Sequence, residues 1–151
     1  MSKSTDEKVT QDLIETLEDG KAGFTKAAER LADTDRADLA PRFHEFAAQR
    51  GRFADELRSL AAQYGDQIEE EGSLAGALHR GWMAIKDAVT GNDAAPVLAA
   101  AEQGEDHAVS EYHDALAADI SPHLRTVVER QQAEVVAAHD QVRAMRDSAK
   151  S

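Results

Sequence analysis

Five polar residues stand where a helical period places the interior: Gln49, Arg50, Glu105, Gln131 and His139. An imidazole and a carboxylate on inward helix faces are ligands for iron or another divalent metal. Helical bundles build such sites from facing helices in their cores. Arg50 brings the opposite chemistry, a permanently charged guanidinium that repels cations and pairs with carboxylates. Counting about 100° per residue from Phe46, Arg50 falls within roughly 40° of the core direction of its helix. Glu105 lies about 60° from the core direction of its own helix, and His139 and Gln131 flank Val135 at about 40° on either side. A buried charge needs a partner, and Glu105 is the partner within reach of Arg50. The favoured reading is a polar core layer of Arg50, Gln49, Glu105, Gln131, His139 and Tyr112 that fixes helix register, with no metal and no cofactor. The alternative is a metal site at Glu105 and His139, holding iron or another divalent ion.

The elements that must carry these residues are helices throughout. Val9, Leu13, Leu17, Gly20, Phe24, Ala27 and Leu31 recur at three and four residues and predict a first helix ending near Leu31. Its carboxylates Glu15, Glu18 and Asp19 fall more than about 100° from that line. Asp33-Thr34-Asp35 closes it. The second helix spans about 36–64, with Pro41 in its first turns. Ser73 caps a shorter helix at about 74–89 carrying Leu78, Trp82 and Ile85. Asp93 caps a third long helix with Val97, Ala101, Ala108 and Tyr112 inward, and Ser121-Pro122 opens a fourth with Leu124, Val128, Val135 and Val142 inward. No segment has the period of a strand. Short turns make the first two long helices antiparallel neighbours, and likewise the last two. The segment 65–92 is long enough to run back along the bundle, which makes the middle pair parallel.

The chain has 151 residues and a formal net charge of −12, with 30% charged and 42% hydrophobic residues. That suits one domain with a continuous core. Residues 9–147 are expected to form the bundle, with a short flexible N-terminal tail at 1–8 and a C-terminal tail at 148–151. The acidic balance argues against nucleic-acid and anionic-membrane partners, since no basic stripe interrupts it. There are no cysteines, which excludes thiolate chemistry and disulfides and fits a reducing compartment. The first residues lack an apolar signal segment, so the expected location is cytoplasmic. No phosphate loop, nucleophile elbow or catalytic triad is present, and the balance is against an enzyme.

Leu13-Ile14-Glu15…Asp19-Gly20, Gln49-Arg50, Gly72-Ser73-Leu74…Leu78-His79-Arg80-Gly81-Trp82, Gly104-Glu105-Asp106 and His139-Asp140-Gln141-Val142-Arg143 together resemble a bacterial family of ferritin-like four-helix-bundle proteins that carries a domain-of-unknown-function label. The resemblance implies an all-α, ferritin-like fold with an additional helix in the long crossover between the second and third bundle helices. It implies no activity and points loosely to stress physiology. Di-iron bundles take a Glu from each of two helices and a Glu-x-x-His from each of the other two. In the resemblance those positions fall on Leu17, on Arg50 and Phe53, on Glu105, and on Val136 and His139, so only Glu105 and His139 keep ligand chemistry.

These readings combine into a non-catalytic cytoplasmic bundle protein acting through assembly or contacts with itself or another protein. The alternative is a metal-binding redox or storage protein with an unusual site around Glu105 and His139. His79, Arg80 and Trp82 on the crossover form a candidate contact patch. Trp82 also has a simpler reading, as an aromatic that packs the crossover against the bundle beside Gly81.

Overall fold

The computed structural model describes residues 5–63, 82–86 and 92–150. Four long helices make up nearly all of this: α1 (Thr5–Leu31), α2 (Ala40–Gln63), α3 (Ala95–Ala117) and α4 (Pro122–Lys150). Single 3₁₀ turns occur at Ala37–Leu39, leading into α2, and at Met83–Lys86. There is no strand among the described residues, so the chain is an all-α helical bundle.

The core divides into two apolar clusters, and their membership gives the helix directions. One joins Phe24–Leu31 of α1 to Phe43 and Phe46 of α2, Val97 and Leu98 of α3 and Val142 of α4. The other joins Leu13 and Leu17 to Phe53, Leu57 and Leu60, to Ala108, Tyr112 and Ala115, and to Leu124, Val128 and Val135. The end of α1 thus meets the starts of α2 and α3 and the end of α4. So α2 and α3 run parallel to each other and antiparallel to α1 and α4. A connection between parallel helices has to return the length of the bundle.

Local chemistry fixes the turns. After α1, the Thr34 hydroxyl donates to the Leu31 carbonyl (2.7 Å) and accepts from the Arg36 amide (3.1 Å), which closes the helix end. The Asp35 amide donates to the Asn92 carbonyl (3.0 Å) and ties this turn to the start of α3. At α3 the cap is displaced by one residue from the sequence expectation. Ala94 occupies the N-cap position, while the Asp93 carboxylate accepts from the Ala95 amide (3.0 Å) one step outside it. Ser121 Oγ accepts from the Leu124 amide (3.4 Å) at the start of α4, and the Ser121 amide donates to Asp6 Oδ1 (2.9 Å).

That last bond ties the first turn of α1 to the start of α4. Residues 5–8 are helical, because Asp6 and Glu7 suit the positive end of a helix dipole and Asp6 also holds the start of α4. At the other end α4 continues to Lys150, since no Gly or Pro interrupts 123–150. The crossover helix expected at 74–89 lies outside the described residues except for 82–86.

Within 82–86, Trp82 and Ile85 are fully buried. The indole rests on Gly23 of α1 and Gly104 of α3, and a Cβ at either glycine would overlap the ring. Its centroid lies 4.9 Å from that of Phe24, in an edge-on arrangement. Trp82 is therefore a core residue and not the anchor of a contact patch. The two glycines are what admit a side chain of this size. A second departure from helical phase lies on the same helix. Asp19, expected to face away from the core, is buried, as is Thr16. With Gly23 they form a second buried stripe on α1.

Candidate functional site

Between the two apolar clusters the helices place polar side chains, and these resolve into three networks instead of one layer. The innermost is Arg50 of α2 with Glu105 of α3, which are 1% and 0% exposed. Arg50 Nη1 donates to Glu105 Oε1 at 2.5 Å, and Nη2 donates to Oε2 at 2.8 Å. The remaining donor, Nε, reaches Gln49 Oε1 at 3.3 Å. The guanidinium carbon also lies 5.1 Å from the Phe24 ring centroid, in range of a cation–π contact. Opposite Arg50, α1 presents Gly20. A Cβ there would sit in ordinary contact, 3.7 Å from Arg50 Cγ, so the arginine stem packs closely along this face of α1. Burial by itself lowers the affinity of the guanidinium for its proton, but the charge and hydrogen bonds of Glu105 outweigh it and hold Arg50 above its ordinary range. The closed fork has no exposed side, so an ion would reach Glu105 only by displacing Arg50.

A second network lies toward the other end of the bundle. The Tyr112 hydroxyl donates to Gln131 Oε1 at 2.7 Å. Gln131 Nε2 in turn donates to Glu56 Oε1 (2.9 Å) and to the Phe53 carbonyl (3.3 Å). Arg130 pairs with the second oxygen of Glu56 at the surface. Burial pushes the Tyr112 phenol well above its ordinary value; Arg50 opposes that shift, and Glu56 and Glu105 add to it. The phenol is thus a fixed hydrogen-bond donor and not a proton shuttle.

The third network lies in the groove between α3 and α4. His139 Nε2 stands 2.5 Å from Asp106 Oδ1, and Nδ1 stands 3.5 Å from Asp140 Oδ1. One turn back on α3, the buried Glu102 carboxylate accepts from Arg143 Nε (3.1 Å) on one oxygen and from Arg146 Nη1 on the other. Ligand atoms of Glu102, Asp106 and His139 lie within 4.8 Å of one another.

The structure thus brings Arg50, Gln49 and Glu105 together, and Tyr112 with Gln131. It does not join Glu105 to His139. Both Glu105 oxygens are held by Arg50, and the imidazole turns to Asp106 instead. The reason lies in the facing of α3: residues 102 and 106 lie one turn apart on its face toward α4, while 105 faces α2. Glu102, Asp106, Glu56, Arg143 and Arg146 escaped the reading of inward positions because they sit at the edges of their core stripes. A signal was present in the spacing. Glu102 and Asp106 are four residues apart on one helix, and His139, Arg143 and Arg146 follow at four and three residues on the next. His79 and Arg80 lie outside the described residues.

Beyond these networks, a cleft of about 440 Å³ opens between α2 and α4. Arg42, Arg52, Glu45 and Glu134 line it with both signs of charge over a floor that includes Phe46. Arg42 bridges the seam to Gln141 Oε1 through Nε (3.1 Å) and Nη2 (2.6 Å). No set of acid, base and nucleophile converges there among its lining residues. No helix among the described residues is long and apolar enough to cross a membrane.

Comparison with curated proteins finds none that matches this chain. The family model described as Domain of unknown function (DUF2383) matches residues 7–119, which take in α1, α2 and α3, and the chain belongs to that family.

Proposed function

We propose that this is a non-catalytic, cytoplasmic helical-bundle protein with ferritin-like connectivity, acting through assembly or contacts with other proteins, in a stress-related setting. The observation that carries the reading is the closed Arg50–Glu105 fork in the middle of the core. A di-iron bundle needs converging carboxylates and imidazoles at that depth. Here a permanent positive charge occupies the place and takes both oxygens of Glu105. A cation entering beside Glu105 would face the guanidinium and leave it buried without a partner. The parallel arrangement of α2 and α3 supports the ferritin-like connectivity, and the lack of cysteine supports a reducing cytoplasm.

The test is aerobic loading with ferrous iron, followed by metal analysis and by absorbance for ferric product. It is run on the natural chain and on the double variant Arg50→Met/Glu105→Leu, which removes the fork without leaving a charge behind. The expected outcome is no ferroxidase turnover in either. Iron oxidation by the natural chain that disappears in the double variant would overturn the reading. Sedimentation across a range of concentrations examines the assembly half, and a monomer throughout would leave contacts with a different protein as the mode of action.

A further inference from the structure

We infer that α3 and α4 carry a divalent transition-metal site of the zinc class in their outer groove, built from Glu102, Asp106 and His139. It is separate from the mid-core fork and does not depend on the function proposed above. Three observations converge on it. The ligand atoms come from two helices and lie within 4.8 Å of one another. Metal–ligand bonds of about 2.0–2.2 Å need ligand atoms roughly 3–4 Å apart, so the three lie within small side-chain adjustments of a binding geometry. The Asp106 side chain is 62% exposed and free to adjust, whereas Glu102 and His139 are held at 8% and 9%.

The second observation is the His139–Asp106 contact itself. The ring nitrogen and the carboxylate oxygen already face each other at 2.5 Å, and these are the atom types that a zinc-class ion takes from His and Asp. Asp140, 3.5 Å from Nδ1, is positioned to receive the other ring N–H and orient the imidazole. Third, one imidazole with two carboxylates is a mixed nitrogen and oxygen set that suits zinc and its neighbours, and it leaves the coordination open on the solvent side.

Arg143 and Arg146 bear on the site in both directions. They fix the Glu102 carboxylate while leaving it lone pairs for a metal, since a carboxylate can accept about four hydrogen bonds. As cations they also weaken the binding of another cation. Removing one of them should therefore strengthen metal binding, a response that a purely structural salt-bridge cluster would not show.

The experiment is calorimetric titration of the full, chelator-treated protein with Zn²⁺, repeated with Co²⁺ to read imidazole coordination in the visible spectrum. The expected result is one ion per chain. Asp106→Asn and His139→Ala should each weaken binding by about tenfold or more, and Arg146→Gln should tighten it. Because Asp106 is exposed, Asp106→Asn keeps the fold, which a thermal melt verifies. No zinc binding up to the submillimolar range would overturn the inference, as would unchanged affinity in both Asp106→Asn and His139→Ala. Failure here leaves the iron-loading outcome untouched, because that test reads Arg50 and Glu105 instead.

Discussion

Arg50→Ala removes the donor half of the buried fork and gives the sharpest test of the central network. In the natural chain Glu105 is 0% exposed and has both carboxylate oxygens on Arg50. After truncation the carboxylate keeps its burial and loses both hydrogen bonds. Breaking a buried ion pair by deleting one partner costs about 3–5 kcal/mol. The arginine stem packed beside Gly20 and the cation–π contact with Phe24 go with it. For a domain of this size 1 kcal/mol moves the melting midpoint by about 2–4 °C, so the expected fall is roughly 6–20 °C. Urea denaturation followed by far-ultraviolet circular dichroism measures the free energy directly, and a constant slope shows that the transition remains comparable.

Two controls sharpen the result. Acidification should narrow the gap between the variant and the natural chain, because a proton can neutralise the stranded carboxylate. Arg50→Met/Glu105→Leu removes both charges and keeps similar volume, so it should be neutral or up to about 4 kcal/mol more stable than the natural chain. A loss below about 1 kcal/mol for Arg50→Ala would refute the reasoning, since only a solvated pair is worth so little.

Tyr112→Phe leaves Gln131 Oε1 without its donor in the core, and the expected cost is about 1–3 kcal/mol by urea denaturation. Because the phenol is raised in the folded state above the 10.0 of an ordinary tyrosine, the stability it contributes is complete below about pH 10 and is lost as pH climbs through the folded value. The natural chain should thus lose stability in strong alkali by a component missing from Tyr112→Phe. Gly23→Ala forces a methyl into the Trp82 ring, and overpacking of this kind costs about 1–3 kcal/mol. Trp82 is the one tryptophan of the chain, so a red-shifted emission maximum reports its displacement directly.

How much of this was legible beforehand depends on how far each residue lies from the axis of its helix stripe. Leu13, Leu17, Phe24, Phe43, Phe46, Phe53 and Leu57 follow the helical period, and all are buried. The period needs only one apolar face against the rest of the bundle, and these residues supply it. Asp19 and Thr16 broke the rule because α1 has a second covered face, which they share with Gly23, where Trp82, distant in sequence, rests. The period of a single helix carries no information about such a neighbour. The small residues Gly23 and Gly104 were the local trace of it, since a helix interior tolerates glycine at a cost of about 1 kcal/mol unless something must approach closely.

The polar residues were legible in kind and less so in partnership. Periodicity gives an angle about one helix axis and leaves the rotation of that helix against the next undetermined. An angular position some tens of degrees from the core direction can therefore face either of two neighbours. Glu105 faces α2, and His139 faces the α3 edge that carries residues 102 and 106. This small difference in facing takes the carboxylate to a guanidinium and the imidazole to another carboxylate. It divides one suspected metal site into a locked ion pair inside and a solvent-facing ligand set outside, and only the outer set retains a side that an ion can enter.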